Sequence, residues 1–99
     1  MTATSTMTVS DGEFLWINDS AHGWLRVREH NIAGVGLGIE AFSKYSYRDK
    51  DGWLYLEEDC DATRFIVAYQ NRCGRLPKFD DLYVAGEAFV RNLPRIKEA

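Results

Sequence analysis

The clearest pattern in this chain is a change of hydrophobic period close to residue 59. Residues 53–58 alternate with a period of two, which is typical of a strand whose two faces differ and predicts a strand over residues 53–57. Over residues 59–73 the apolar side chains instead recur at helical spacing, at Ala62, Phe65, Ile66, Tyr69 and Cys73. Gly74 suits the left-handed residue that follows a helix. The pattern therefore predicts a strand followed by an amphipathic helix, with Asp59 or Asp61 as the helix N-cap.

Four other segments have the composition and alternation of strands, namely residues 13–17, 23–28, 44–48 and 79–85. Residues 49–52 (Asp-Lys-Asp-Gly) are expected to form a hairpin loop, because Gly52 is free to adopt positive φ. The pattern leaves the conformation of residues 29–42 open: it allows a short helix over residues 29–34, and the glycines at 34, 36 and 38 argue against extending it. The glycine-rich stretch over residues 34–38 does not contain the lysine that a phosphate-binding loop carries. For residues 87–93 the pattern leaves a short helix and an extended tail equally open.

These elements predict one α+β domain over residues 11–99, preceded by a flexible N-terminus over residues 1–10. Four or five strands form a mostly antiparallel sheet, and the helix packs on one of its faces. The side chains expected to meet there are Leu25, Val27, Leu54 and Leu56 from the sheet and Phe65, Ile66 and Tyr69 from the helix.

The opposite face of the sheet is the candidate functional surface. The residues expected on it alternate with the core positions of the second and fourth strands, and they are Trp24, Arg26, Arg28, Trp53, Tyr55 and Glu57. One helix cannot cover both faces, and large aromatic side chains beside arginine dominate binding hot spots. We therefore expect a partner-binding surface. The alternatives are half-exposed rings without a partner, or a face covered by the N-terminal segment, the C-terminal tail or a second copy of the chain.

A cluster of four acidic residues marks the junction between the strand and the helix: Glu57, Glu58, Asp59 and Asp61. Carboxylates in the first turn complement the positive end of the helix dipole, so capping is one interpretation. A site for a hard cation such as Ca²⁺ or Mg²⁺ and an acidic contact patch are the others. Cys60 with either of the two histidines, His22 or His30, has the residue types of a nucleophile pair, although the carboxylates beside Cys60 oppose formation of the thiolate.

Composition and charge narrow the classes of function. The chain has 99 residues and a net charge of −3, which does not suit a duplex-DNA-binding protein. Cys60 and Cys73 lie about 20 Å apart on the predicted helix, too far for a disulfide. Unpaired cysteines, and the absence of a secretory signal peptide, favour a cytoplasmic location. No apolar run approaches the roughly 20 residues that a membrane span needs.

Three stretches of the chain carry a resemblance to a known family. They are residues 22–27 (His-Gly-Trp-Leu-Arg-Val), 45–47 (Tyr-Ser-Tyr) and 55–62 (Tyr-Leu-Glu-Glu-Asp-Cys-Asp-Ala). The chain resembles small proteobacterial proteins of plasmids, prophages and other mobile elements over about residues 22–70, and it departs from them in its glycine-rich stretch and C-terminal third. The resemblance implies an accessory protein of mobile DNA and no catalytic residue. In size and acidity the chain is also similar to anti-CRISPR and anti-restriction proteins.

Together these observations predict a non-enzymatic binding protein without a cofactor. Its expected partner is a host or phage protein, such as a nucleic-acid-handling complex, which the chain would block sterically. The expected contact residues are Trp24, Arg26, Arg28, Trp53, Tyr55, Glu57, Glu58, Asp59 and Asp61, with the acids directed at a basic partner. The alternatives are a small metal-dependent enzyme that uses the Glu57–Asp61 cluster with His22, and a homodimeric structural protein.

Overall fold

The chain folds into an α+β domain. The computed structural model describes residues 13–86 and 88–96, so the predicted flexible segment 1–10 lies outside the described residues. The elements, in chain order, are β1 (Phe14–Asn18), β2 (Gly23–Arg28), α1 (Glu29–Gly34), β3 (Tyr47–Arg48), β4 (Trp53–Glu57), α2 (Asp61–Cys73) and β5 (Phe79–Tyr83). One 3-10 turn, Ile39–Ala41, lies between α1 and β3, and another, Phe89–Asn92, follows β5. None of the helices in these two ranges is long and apolar enough to cross a lipid bilayer.

The five strands form one mixed sheet in the order β3-β4-β2-β1-β5. Three neighbouring pairs are antiparallel, and β5 alone runs parallel to its neighbour β1. The predicted third strand, 44–48, is reduced to Tyr47–Arg48 because Ser46 is buried and its hydroxyl is used elsewhere, donating to Asp61 and accepting from the backbone N–H of Glu57. The predicted strand 79–85 ends at Tyr83.

Helix α2 packs on one face of the sheet, as the apolar spacing predicts. Leu25, Val27, Leu54 and Leu56 form a single buried cluster with Phe65 and Tyr69, and Ile66 packs against its edge. The helix ends at Gly74, whose φ of 76° gives the expected left-handed cap.

The start of the helix differs from the prediction. It begins at Asp61 with Cys60 as N-cap, and neither Asp59 nor Asp61 makes the expected side-chain cap. The Glu57 carboxylate instead accepts from the backbone N–H groups of Asp59 and Cys60, at 3.1 and 3.0 Å. Capping by an acidic group therefore occurs, but it comes from the end of β4, and this leaves the Asp61 side chain free to bind a different part of the chain.

The second face of the sheet is partly covered by residues 84–86 and 88–96, which we call the C-terminal segment. It continues β5 with a hydrogen bond from Val84 N to Asn18 O of 2.7 Å, and it then crosses the face to the opposite edge. There Pro94 O accepts from Arg48 N at 2.9 Å, and Ile96 N donates to Ser46 O at 2.9 Å. Of the alternatives raised by the sequence, coverage of this face by the C-terminal tail is the one observed.

A polar cluster around Glu13 joins the start of β1 to the end of α2. The Glu13 carboxylate accepts from both terminal nitrogens of Arg75 at 3.0 and 2.9 Å, from the Tyr69 hydroxyl at 3.0 Å and from Lys78 N at 3.0 Å. The hydrogen bonds from Arg75 lower the pKa of Glu13 to about 2, with help from Lys78 N and the Tyr69 hydroxyl and against the opposing effect of burial. Burial, and then the bond to Glu13, raise the pKa of Tyr69 to about 12.

This cluster predicts a loss of stability in acid. Because the pKa of Glu13 is lower in the folded state than its ordinary 4.5, its contribution is complete above pH 4.5 and is lost as pH falls toward 2. Arg75 is half exposed and water screens the pair, so we expect a contribution of about 1 kcal/mol. Thermal unfolding from pH 7 to pH 2 should show a smaller acid-induced fall in Tm for Glu13→Gln than for wild type. The matched variant of an exposed acid, Glu29→Gln, should follow wild type, and equal acid dependence in all three proteins would contradict the assignment.

Candidate functional site

Two of the expected contact residues on the second face are buried. Trp24 and Tyr55 are 2% and 3% exposed, where the sequence predicted rings open to a partner. They do lie on the face opposite to α2, but Ala88 and Val90 of the C-terminal segment pack against them and close a second small core with Ile17. Both residues are therefore core residues in this fold, and the expectation that they form an exposed surface is wrong.

The C-terminal segment is held down by the buried carboxylate of Asp19. This side chain accepts from Ala88 N at 3.0 Å and from two nitrogens of Arg91 at 2.8 and 3.1 Å. It also accepts from the backbone N–H groups of Ala21 and His22 in the β1–β2 turn, each at 2.9 Å. The Arg91 side chain, followed by Ala88 N, holds the pKa of Asp19 far below its usual range. The turn thus anchors the segment that covers Trp24.

What stays open on this face is a stack of two guanidinium groups on one indole, which we call the basic stack (Arg26, Trp53 and Arg28). The Arg26 and Arg28 guanidinium carbons lie 4.2 and 3.7 Å from the centre of the Trp53 ring, within the range of cation–π contacts. All three residues are partly exposed. Within the described part of the chain neither arginine forms an ion pair with a carboxylate, and the buried Arg26 Nε has no hydrogen-bond acceptor.

The hairpin between β3 and β4 fixes the basic stack in place. Gly52 adopts the predicted positive φ, 92°, and Asp49 accepts from Trp53 N at 3.0 Å and from the Tyr55 hydroxyl at 2.9 Å. Burial opposes ionisation of Asp49, but these bonds outweigh it and lower its pKa. Burial, and then the Asp49 bond, raise the pKa of Tyr55 to about 12. Arg28 Nη1 donates to Asp51 O at 2.7 Å, so the ring and one of its two arginines are tied to the same turn.

Phe89 belongs to the open part of this face and was missed by sequence reasoning. It is 47% exposed, and its ring meets Tyr55 edge to face with a centroid distance of 5.7 Å. Since Tyr55 follows Trp53 by two positions on β4, both rings rise from the same face of the strand. Nothing in the local sequence pattern around residue 89 distinguishes the exposed Phe89 from the buried Val90, because this distinction depends on how the C-terminal segment crosses the sheet.

Three of the four acidic residues at the start of α2 accept hydrogen bonds that serve the fold. Asp61 is buried and accepts hydrogen bonds from the backbone and hydroxyl of Ser43 and from the Ser46 hydroxyl. Glu58 accepts from Gly23 N at 3.1 Å. Asp59 alone among the four acids is exposed, and the other three are buried or partly buried. In residues 13–86 and 88–96 no group of three or more His, Cys, Asp or Glu side chains is arranged to hold a metal ion. The cluster thus does not converge on a site, and Asp61 is unable to contact a partner.

Cys60 and His22 line an open groove of about 430 Å³ at the Glu57 end of the second face. The pKa of the Cys60 thiol is raised by partial desolvation and by the carboxylates of Glu57 and Asp61. Catalytic cysteines require the opposite shift, toward the thiolate. The groove therefore has the residue types of a nucleophilic site without the electrostatics of one.

The nine expected contact residues therefore fall into three sets. Trp24, Tyr55 and Asp61 are buried, and the other six are at least partly exposed. Of these six, the basic stack lies at the hairpin end of β4 and Glu57, Glu58 and Asp59 lie at or beyond its other end, which is about 13 Å away for a five-residue strand. Comparisons with protein-family models, with curated proteins and with solved structures find no match to this chain.

Proposed function

We propose that this chain is a non-enzymatic binding module that docks on an acidic surface of another protein through the basic stack. The observation that carries the proposal is the pair of guanidinium groups on Trp53, which form no ion pair with a carboxylate in the described residues. Arginine and tryptophan are the residue types most enriched in binding hot spots. Partner carboxylates would supply the planar acceptors that guanidinium groups bind best.

Pre-organisation supports the same interpretation. Ordering a long side chain on binding costs about 0.5–1.5 kcal/mol. The stacked geometry and the bond from Arg28 to Asp51 O hold these side chains before a partner arrives. Phe89, exposed on the neighbouring part of the face, adds an apolar contact next to the charged one. An aromatic and apolar centre with charged groups around it has the composition of a protein-binding surface.

The same geometry changes the expected charge of the partner's surface from basic to acidic. The acids Glu57, Glu58 and Asp61 accept hydrogen bonds within the chain, so they contribute less to recognition of a basic partner than their sequence cluster suggests. The basic stack favours an acidic partner surface in their place. The expected physiological setting is steric inhibition of a host defence complex, of the anti-CRISPR or anti-restriction type. The small size and the mobile-element resemblance support it, and the two free, exposed cysteines suit a reducing cytoplasm.

A site-specific photo-crosslinker tests this proposal in a native host. With the crosslinker at position 89, on the open part of the face next to the intact basic stack, we expect covalent capture of one protein, and with it at position 67 we expect none. Val67 is the matched control because it is an exposed apolar residue on α2, which lies on the opposite side of the sheet. Capture of the same set of proteins from both positions would contradict the proposal.

The affinity for the captured partner measures how much the basic stack contributes to binding. Reversing one charge with Arg28→Glu should weaken binding about 30-fold, or about 2 kcal/mol, because it places a carboxylate against the partner's carboxylates. The variant should lose only a few degrees of Tm, because the bond from Arg28 to Asp51 O that it removes is exposed. Raising the salt concentration should weaken wild-type binding. Equal affinity of Arg28→Glu and wild type would refute docking through the stack. Tight binding of a labelled oligo-dT strand would instead assign the stack to single-stranded nucleic acid, which also stacks on aromatic rings beside arginine.

A further inference from the structure

Strand β5 presents an unpaired edge at the end of the sheet. Phe14 N donates to Lys78 O at 3.2 Å, and Val84 N donates to Asn18 O at 2.7 Å. Because the backbone groups of a strand alternate in direction, even-numbered positions bond to β1 across the whole parallel pair. The N–H and C=O groups of Phe79, Asp81 and Tyr83 therefore point away from the sheet, where no described residue bonds to them.

The two edges of the sheet differ, because among the residues that the structure describes one edge is hydrogen-bonded to the C-terminal segment and the other is not. On the β3 side, Tyr47 is bridged to Arg95 and Arg48 N donates to Pro94 O, so the C-terminal segment closes that edge. On the β5 side, four consecutive side chains are exposed, including Tyr83 at 65%. An open edge with exposed apolar side chains is the usual template for addition of a strand from another chain.

We propose that β5 binds an extended, basic segment of another protein by strand addition. Asp80 and Asp81 are adjacent, so they place one carboxylate on each face of β5. A strand added alongside would meet a carboxylate on both of its faces, and opposite charges across a strand pair stabilise it. Leu82 and Tyr83 offer an apolar contact on each face in the same way.

A second copy of this chain fits the edge poorly. A twofold, antiparallel pairing of two β5 strands centred on the middle residue, Asp81, brings each Asp81 opposite its own copy. Like charges directly opposite one another destabilise a strand pair. The two facing copies of Asp81 thus oppose this pairing, while the same carboxylate favours a basic partner. Charged side chains on an edge strand are a common way for natural proteins to protect a sheet edge. This surface is separate from the basic stack, so the inference does not rest on the function proposed above.

The test uses a dye-labelled short peptide with a central lysine–arginine pair flanked by valine and threonine. We expect saturable binding in fluorescence anisotropy. We also expect at least about tenfold weaker binding of the same peptide carrying N-methyl groups on alternate amides, because it keeps its charge and loses the donors of the ladder. In the protein, Asp81→Pro removes an outward N–H and spares the even-numbered groups that bond to β1, so it should weaken binding similarly.

Two charge variants separate the contribution of the Asp81 carboxylate from that of its backbone N–H. Asp81→Asn should weaken binding a few-fold, since it removes charge and keeps the N–H, and Asp59→Asn, at an exposed acid away from β5, should bind like wild type. Equal affinity for the N-methylated and the parent peptide, or no binding of the parent, would overturn strand addition even if Asp81→Pro failed to fold. Concentration-dependent dimerisation of the wild type that Asp81→Pro abolishes would also overturn it, by making the occupant a second copy.

Discussion

Replacing Asp61 with alanine is expected to lower the free energy of unfolding by about 3 kcal/mol and Tm by about 15 °C. The Asp61 carboxylate accepts from Ser43 N at 3.0 and 2.9 Å and from Ser43 Oγ at 2.8 Å, and the buried Ser46 hydroxyl donates to it as well. Alanine would leave the buried Ser46 hydroxyl and the partly buried Ser43 donors without this acceptor. An unsatisfied buried polar group costs about 1–3 kcal/mol.

The loss would spread beyond the substituted residue. Ser46 Oγ also accepts from Glu57 N at 2.9 Å, so the network joins the loop before β3 to the end of β4 and the start of α2. Urea unfolding of Asp61→Ala, with Asp59→Ala as the matched variant of an exposed acid, measures the effect. We expect Asp59→Ala to lie within about 0.5 kcal/mol of wild type. Equal stabilities for the two variants would show that Asp61 is a surface residue, as its sequence cluster suggests.

The second large effect is expected for Asp19→Ala, which removes the anchor of the C-terminal segment. Ala88 N, Arg91 and two N–H groups of the β1–β2 turn would all lose the hydrogen bonds that the Asp19 carboxylate accepts. Removing one partner of a buried, hydrogen-bonded charge pair is strongly destabilising. We expect Tm to fall by about 10 °C or more.

Hydrogen exchange locates this effect. The C-terminal segment should exchange faster in Asp19→Ala, together with the β4 residues around Tyr55 that it covers, while the amides of α2 change least. Asp80→Ala, an exposed aspartate, is the control and should keep the wild-type pattern. A uniform increase over the whole chain would contradict the local role of Asp19, because it would mean that the carboxylate supports the entire domain rather than one segment.

The sequence predicts those parts of the fold that depend on local pattern. The period change near residue 59, the hairpin at Gly52 and the cap at Gly74 are all decided by neighbouring residues, and the structure contains each of them. The two faces of β2 and β4 follow from alternation alone, so the helix-facing core was also predicted correctly.

The rest depends on contacts between residues far apart in the chain. Asp19 meets Ala88 and Arg91 across about 70 positions, and no spacing rule connects a turn aspartate to one arginine among several. Ala88, Val90 and Ile96 are buried from an irregular segment that has neither strand nor helix periodicity. The burial of Trp24 follows from that segment, and so the candidate surface contracted to the basic stack.

The role of Asp61 at the start of α2 also depends on residues distant in the chain, so the local pattern does not predict it. An aspartate just before an amphipathic pattern favours an N-cap on local grounds, but the carboxylate binds Ser43 and Ser46 instead. The Glu57 side chain then does the capping from the end of the strand. Because local competition among several acids was decided by a distant loop, the sequence identified the acidic junction and misassigned its roles.

Hydroxyl-radical footprinting of the tryptophans, in the free protein and in complex with the crosslinked partner, tests the central claim most directly. The account predicts that Trp24 resists oxidation in both states, because the C-terminal segment covers it, and that Trp53 is oxidised in the free protein and protected in the complex. Oxidation of Trp24 as fast as Trp53 in the free protein, or an unprotected Trp53 in the complex, would contradict it.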